Sequence, residues 1–341
     1  MRSIIFEVTQ RCNHDCLHCY NVWKAVPAYP RGELDTEGTL RLVDRILRET
    51  KPQVFSFTGG EPLLRGDLLD LIRFVRKRRV AVNLLTNGTL LTDATIAACV
   101  EAGVSLFEVP LLSTRREQHN TLTRSDSWER VVEAIPTVKL AKSRIVVVFV
   151  ALAPNTEEAH GVIEMAFALG ADAVMLNRFN AGGTGLQHLD ELLPRPDSLK
   201  AVLDAAERAA EEFHLPIPVS VPVPPCVVDT TGYTHLGFGY CAAGTERAYY
   251  TVDPLGNVRM CNHSPLILGN ILTTRFRDLA RGALAQQFVE DVPEFCRPCR
   301  LVATCQGSCK AAAEQACGDR TCLEPFLEYN ATPAGDRRLS L

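Results

Sequence analysis

The chain has 341 residues, 46% of them hydrophobic and 22% charged, with a formal net charge of -4. That composition supplies the core of one large domain or two unequal ones, and its slightly acidic balance excludes a global basic field for nucleic acid. No secretory leader is present and no apolar run approaches the ~20 residues of a membrane span, so a cytoplasmic protein without membrane or nucleic-acid partners is expected.

In chain order, apolar runs of buried-strand length predict strands at Ser3 to Val8, Gln53 to Phe57, Ala81 to Leu85, Ser105 to Pro110, Arg144 to Leu152 and Ala173 to Arg178. Helical patterns lie between them. Thr36 to Glu49 places Leu40, Val43, Ile46 and Leu47 on one face, and Asp67 to Lys77 repeats the pattern with a basic end. Thr92 to Ala102 is capped by Thr92 and closed by Gly103; Ser127 to Ala141 carries a kink at Pro136; Thr156 to Leu169 ends at Gly170. Six such units predict an α/β fold, a partial (β/α)6 TIM-like barrel with its chemistry at the carboxyl ends of the strands.

A last helix, Asp197 to His214, leads into LPIPVSVPVPP, an extended proline-rich connector, and the domain boundary is placed there. Residues 1–215 form the expected barrel. Residues 216–330 form a small Cys-rich α+β domain, with strands at Ala248 to Val252 and Val258 to Met260 and a helix near Thr274 to Phe288. Residues 331–341 read as a mobile tail.

In a reducing compartment, the thirteen cysteines speak for metal ligation rather than disulfides. Cys99, beside Ile96 and Val100, reads as a core thiol, and nine cysteines lie from Cys226 onward. The remaining three form CNHDCLHC, residues 12 to 19, directly after the first strand. Three close thiols leave a four-iron cluster one ligand short, whereas a structural zinc would need a fourth, which His14 or His18 could supply.

CxxxCxxC after a first strand, followed by GGEP (Gly59 to Pro62) at the end of the second, resembles the radical S-adenosylmethionine (SAM) superfamily over the first two thirds of the chain. The resemblance implies a [4Fe-4S] cluster on Cys12, Cys16 and Cys19, whose free iron chelates SAM and whose electron cleaves it to a 5'-deoxyadenosyl radical. It places His18 near the adenine and Gly59, Gly60 and Glu61 at the methionine amino group. In PLLSTRREQHNTLTR it matches Ser113 to a ribose-side serine and Arg124 to the arginine facing the SAM carboxylate. Thr114, Arg115 and Ser125 depart from the family residues there. After the sixth strand it makes Leu176, beside the flexible glycine-rich NRFNAGGTG, a candidate for the adenine side.

Further on, Cys241, Gly256 and Cys261, then CRPC, Cys305, Cys309 and Cys322 match the seven-cysteine SPASM pattern in order. That family binds two auxiliary iron-sulfur clusters, [4Fe-4S] in type. The resemblance assigns Cys241, Cys261 and Cys309 to the first, and Cys296, Cys299, Cys305 and Cys322 to the second. The fourth ligand of the first is open between Cys226, His235 and none, and Cys317 competes with Cys322. Tyr233, Tyr240, Asn262 and His263 stand near these cysteines in sequence.

The implied function is a radical SAM oxidoreductase that takes hydrogen from a peptide or protein side chain during oxidative modification or crosslinking. Asn262 replaces the acid of the sulfatase-maturing branch, which speaks against that branch. The alternatives are a radical SAM enzyme acting on a small molecule in cofactor or natural-product biosynthesis and, from another class, a non-catalytic iron-sulfur electron carrier. A carrier does not explain CxxxCxxC together with GGEP. The expected partners are an electron donor such as flavodoxin or ferredoxin and, with no room for a leader-binding domain before the first strand, a separate peptide-recognition protein or direct capture.

Overall fold

A computed structural model describes residues 1–331; the tail expected to be mobile lies outside the described residues apart from Ala331, which ends the last helix. The six apolar runs form β1 (Ser3–Thr9), β2 (Val54–Gly59), β3 (Ala81–Leu85), β4 (Val104–Pro110), β5 (Arg144–Ala151) and β6 (Ala173–Arg178). They pair in parallel in sequence order, and each crossover carries a helix onto the outer face of the sheet, as right-handed β/α connections do. Side-chain alternation sets the two faces. In β5, Ile145, Val147, Phe149 and Ala151 are fully buried in the layer beneath the helices, while Val146, Val148 and Val150 on the inner face are half-buried.

Local signals hold where their chemistry is unambiguous. The helix Asp93–Ala102 starts on Thr92, whose hydroxyl accepts from the Thr95 N–H, and ends at Gly103 with φ 111°. Cys99 is fully buried in the core. The helix Trp128–Leu140 runs on through Pro136, and Thr156 to Leu169 divides into a 3-10 turn (Ala153–Glu158) and an α-helix (Ala159–Ala168). Near Thr274 to Phe288 there are two helices, Phe276–Arg281 and Ala283–Glu290, broken at Gly282.

The connector and the Cys-rich region extend the same sheet. β7 (Ile217–Val219), inside the proline-rich connector, pairs with β6, and β8 (Leu236–Phe238) pairs with β7. At the other side, β9 (Tyr250–Val252) adds in parallel to β1, and β10 (Asn257–Arg259) and β11 (Ile267–Asn270) continue antiparallel, giving eleven strands. Sheet and apolar core are thus continuous across residue 215. The inner face is closed near β1 by Glu7 and Arg259, an ion pair with both side chains buried. Arg259 also donates to the carbonyls of Asn262 and Ser264.

Candidate functional site

The loop after β1 carries the first three cysteines and is fixed on three sides. Gly60 N–H donates to the Thr9 carbonyl (2.9 Å) and Glu61 N–H to that of Arg11 (2.8 Å). Leu17 N–H donates to the Leu122 carbonyl, and Gly185 N–H to that of Cys19. Burial, then the neighbouring Cys19 and Cys12, push the Cys16 thiol well above its ordinary range, while Cys12 and Cys19 are raised chiefly by burial. Lys24 acts in the opposite sense on all three. Its ammonium sits 2.8 Å from Asp15, inside the cysteine loop. Three thiols held in one another's field are a donor set that bound iron, by stabilising thiolate, would satisfy. His14 Nε2 and His18 Nδ1 are buried in the same loop without a hydrogen-bond partner. Among the described residues, no three His, Cys, Asp or Glu converge on a point that would hold a single ion; in a four-iron cluster each thiolate meets its own iron.

The GGEP turn packs against this loop. A Cβ on Gly59 would lie 2.2 Å from the Thr9 carbonyl oxygen, and one on Gly60 2.0 Å from that of Arg11, so only glycine allows the approach. The Glu61 carboxylate is fully buried and accepts from Leu63 N–H, Thr86 Oγ1 and Asn87 N–H. Burial raises it to about 7, against those three hydrogen bonds. Both oxygens are therefore engaged in shaping the turn. The expectation of a carboxylate offered to an ammonium is corrected: the motif's acceptors for that group would be backbone carbonyls.

Other expected contacts are displaced in similar ways. The segment carrying Ser113 and Arg124 contains a helix, Arg116–Thr123. Ser113 is fully buried; its hydroxyl lies within hydrogen-bond distance of Glu158 (2.9 Å) and Gln118 (3.1 Å) and accepts from Arg115 N–H, so it braces the turn before this helix instead of facing a ribose. Arg124 ends the helix at φ 49° and reaches toward Asp15 (3.5 Å) and His188 (3.4 Å), which keeps it beside the cysteine loop. His18 is half-buried, with the Leu122 carbonyl against its ring and burial lowering it to about 4. Leu176 pairs with Phe149 and is buried in the layer beneath the helices, which removes its side chain from the inner face. The glycine-rich turn after β6 is a buried joint: a Cβ on Gly183 would sit 2.4 Å from the Cys19 carbonyl oxygen, and Gly183 N–H donates to Gln315.

The C-terminal cysteines fall into two groups. Burial, then Cys309 and Cys241, raise Cys261 to about 12, which unites the three thiols assigned to the first auxiliary cluster. They line a cavity of about 130 Å³ with Asn180, Tyr249 and His263. Asn180 donates to Cys309 Sγ (3.3 Å) and to His263 Nδ1 (2.9 Å). The expected fourth ligands lie elsewhere. His235 is exposed and engaged with Glu207 (3.0 Å), while Cys226 stands in the field of Cys305 and Cys299, with the second group. Cys322, expected in that second group as a thiolate, is joined in a disulfide to Cys317.

Sequence reading missed the residues between the two ends of the site. Tyr20, directly after Cys19, stacks on His263 at 4.0 Å and accepts from Asn262 Nδ2 (2.9 Å). Glu7, Cys19 and Glu108 all act on the Tyr20 hydroxyl. Glu108 lies between the fully buried Phe107 and Val109, hence on the inner face near the end of β4, half-buried and without a hydrogen-bond or ion-pair partner among the described residues. Burial alone raises it to about 7. Its alternation with Phe107 and Val109 is the one sequence signal that marked it.

A parallel half-barrel with a three-thiol loop after β1, a glycine turn packed on it, and further cysteine groups at the same end defines a class of iron-sulfur enzyme. The family comparisons agree: residues 6–166 match the radical SAM superfamily model, and residues 241–306 match the SPASM model, an iron-sulfur cluster-binding domain. The chain belongs to the radical SAM superfamily and carries a SPASM domain. Its cofactors are those of that family, SAM with a [4Fe-4S] cluster, and auxiliary iron-sulfur clusters.

Among similar proteins are the AdoMet-dependent heme synthase of Methanosarcina barkeri (27% identical, covering 96% of both chains) and the PqqA peptide cyclase of Granulibacter bethesdensis (25%, covering 95% of this chain and 86% of that one). Similar solved structures include native anSMEcpe with bound AdoMet (TM-score 0.72, 19% identical, covering 96% and 94%). Streptococcus suis SuiB bound to precursor peptide SuiA has TM-score 0.71 at 12% identity, covering 91% and 72%.

Proposed function

We propose that this chain oxidatively modifies or crosslinks a peptide side chain, held on the inner face of the half-barrel between the first cysteine loop and the Cys241, Cys261 and Cys309 group. The carrying observation is the Tyr20–His263 stack, which joins the two cysteine groups through one aromatic contact. A substrate lying there would touch both ends of the site. The bound cofactors supply a carbon-centred radical and a route for the second electron. The chain's own residues do the rest. Cys12, Cys16 and Cys19 hold the cluster; Gly59 and Gly60 let backbone approach SAM; Lys24 and Arg124 give positive charge beside the loop for its carboxylate. Glu108, with no partner among the described residues and a raised affinity for protons, is suited to take the proton lost on substrate oxidation. The Glu7–Arg259 pair shuts the β1 side of the sheet against water.

The relatives support a peptide substrate by their names, PqqA peptide cyclase and SuiB bound to its precursor peptide SuiA. The heme synthase keeps a small-molecule substrate as a second reading. Flavodoxin or ferredoxin is the proposed electron donor, with a separate peptide-recognition protein as a further partner and the cytoplasm as the location. Among the described residues, no helix is long and apolar enough to cross a membrane. The test is anaerobic reconstitution with SAM, reductant and candidate precursor peptides, read by mass spectrometry. The expected result is 5'-deoxyadenosine formed together with a peptide lighter by two hydrogens. Turnover confined to a small molecule would overturn the peptide assignment.

A further inference from the structure

The geometry points to Asn180 as the residue that sets the reduction potential of the first auxiliary cluster, by donating an amide hydrogen bond to the sulfur of Cys309. This rests on the reading of Cys241, Cys261 and Cys309 as thiolates of that cluster, and concerns a residue outside the ligand set.

Three observations carry it. First, the contact is direct. Asn180 Nδ2 lies 3.3 Å from Cys309 Sγ and 2.9 Å from His263 Nδ1, so both hydrogens of its NH2 group are placed. A thiolate can only accept, which turns the amide nitrogen toward Cys309; His263 then accepts at Nδ1 and carries its proton on Nε2. Among the described residues Asn180 bonds to no other cysteine. Second, the other end of the amide is unsatisfied. Asn180 is 7% exposed, and its Oδ1 is buried without a hydrogen-bond partner among the described residues. A buried acceptor left unpaired is costly and calls for a reason. Leucine would fill the same place without that cost, so what asparagine adds there is its pair of donors.

Third, donor and sulfur are held in place by a second set of bonds. Gly183 N–H, three residues after Asn180, donates to Gln315 Oε1 (2.9 Å), and Gln315 Nε2 donates to the carbonyls of His263 (2.6 Å) and Tyr20 (3.4 Å). Gln315 belongs to the helix Lys310–Cys317, which starts directly after Cys309. The turn after β6 and the helix behind Cys309 are therefore tied together, and the N–H···S contact is preorganised. Hydrogen bonds to cluster sulfurs are one of the means by which a protein sets the potential of such a site. A donor aimed at sulfur favours the more negative, reduced state and so raises the potential.

The test uses the full chain, reconstituted anaerobically, and needs no substrate. Potentiometric titration followed by EPR should find one auxiliary cluster of Asn180→Leu about tenfold harder to reduce than in wild type, a fall of about 59 mV for a one-electron couple. The other two potentials and the iron content should be unchanged. Asn180→Asp, which turns an acceptor of the same shape toward the sulfur, should fall further. Wild type made with asparagine carrying 15N in its side-chain amide should show a 15N hyperfine coupling to that cluster when reduced, and Asn180→Leu should lack it. Unmoved potentials in Asn180→Leu, no 15N coupling in wild type, or a coupling that survives in Asn180→Leu overturns the proposal. If the leucine variant loses a cluster, the labelled wild type decides alone. Wild type that binds only about four irons overturns the reading of two auxiliary clusters, and the proposal with it.

Discussion

Replacing Arg178 by methionine removes the guanidinium and keeps most of its volume. Arg178 and Glu324 have side-chain exposures of 0% and 1%, so the substitution strands a carboxylate with only Ser308 Oγ (2.9 Å) and Phe326 N–H (3.0 Å) as donors. It also frees the Pro222 and Phe179 carbonyls and removes the cation above the Phe326 ring. Breaking a buried pair by deleting one partner costs about 3–5 kcal/mol, a large fraction of a typical domain stability of about 5–15 kcal/mol. In Arg178→Met/Glu324→Gln no buried charge remains, and the loss should fall to about 1–3 kcal/mol for the unmade hydrogen bonds. Urea unfolding of wild type, both single variants and the double variant gives the coupling. A loss under about 1 kcal/mol in Arg178→Met, or a double variant as unstable as the sum of the singles, refutes the reasoning.

Glu108→Gln should stabilise the protein as pH rises. The folded carboxyl titrates near 7 and the unfolded one near 4.5, so wild type loses stability between those values. The variant should gain up to about 3 kcal/mol at pH 8 and nothing at pH 4, read by urea midpoints across pH; a gain independent of pH would contradict it. Substrate oxidation should fall at least about tenfold in the same variant, measured by product mass spectrometry. Gly183→Ala forces a Cβ toward the Cys19 carbonyl at a backbone φ of 52°. It should lower SAM cleavage by about tenfold or more through a displaced cysteine loop, and wild-type rates of 5'-deoxyadenosine formation would rule that out. Cys16→Ala should abolish SAM cleavage, since two thiolates should not hold the cluster; 5'-deoxyadenosine from the reconstituted variant would disprove it.

The half-barrel was legible because each of its strands is a buried apolar run and its helices carry local caps, such as Thr92 and Gly103. β7 and β8 were not, since three residues carry no periodicity, β7 has Pro218 inside it, and their pairing is decided by neighbours distant in sequence. The cysteine loop and GGEP were readable as spacing, and the structure sets both at the end of adjacent strands. What Glu61 and Ser113 do was not readable. Their motif positions fit SAM contacts, yet Thr86, Asn87 and Glu158, which arrive from other β/α units, take up their side chains. The course of the connector that bears Cys226 was not readable either, because Arg178 holds the Pro222 carbonyl from β6 and no local pattern encodes that reach.

The addition of β9 to β1 bears on how this chain avoids self-association. In a plain half-barrel β1 is an outermost strand, and its free N–H and C=O row would invite another copy to pair. Here Ile4, Ile5 and Phe6 are already matched to Tyr250, Thr251 and Val252. The β9–β10 hairpin thus serves as a built-in edge guard, and an isolated barrel cut free of it would be a template for aggregation, however intact its helices.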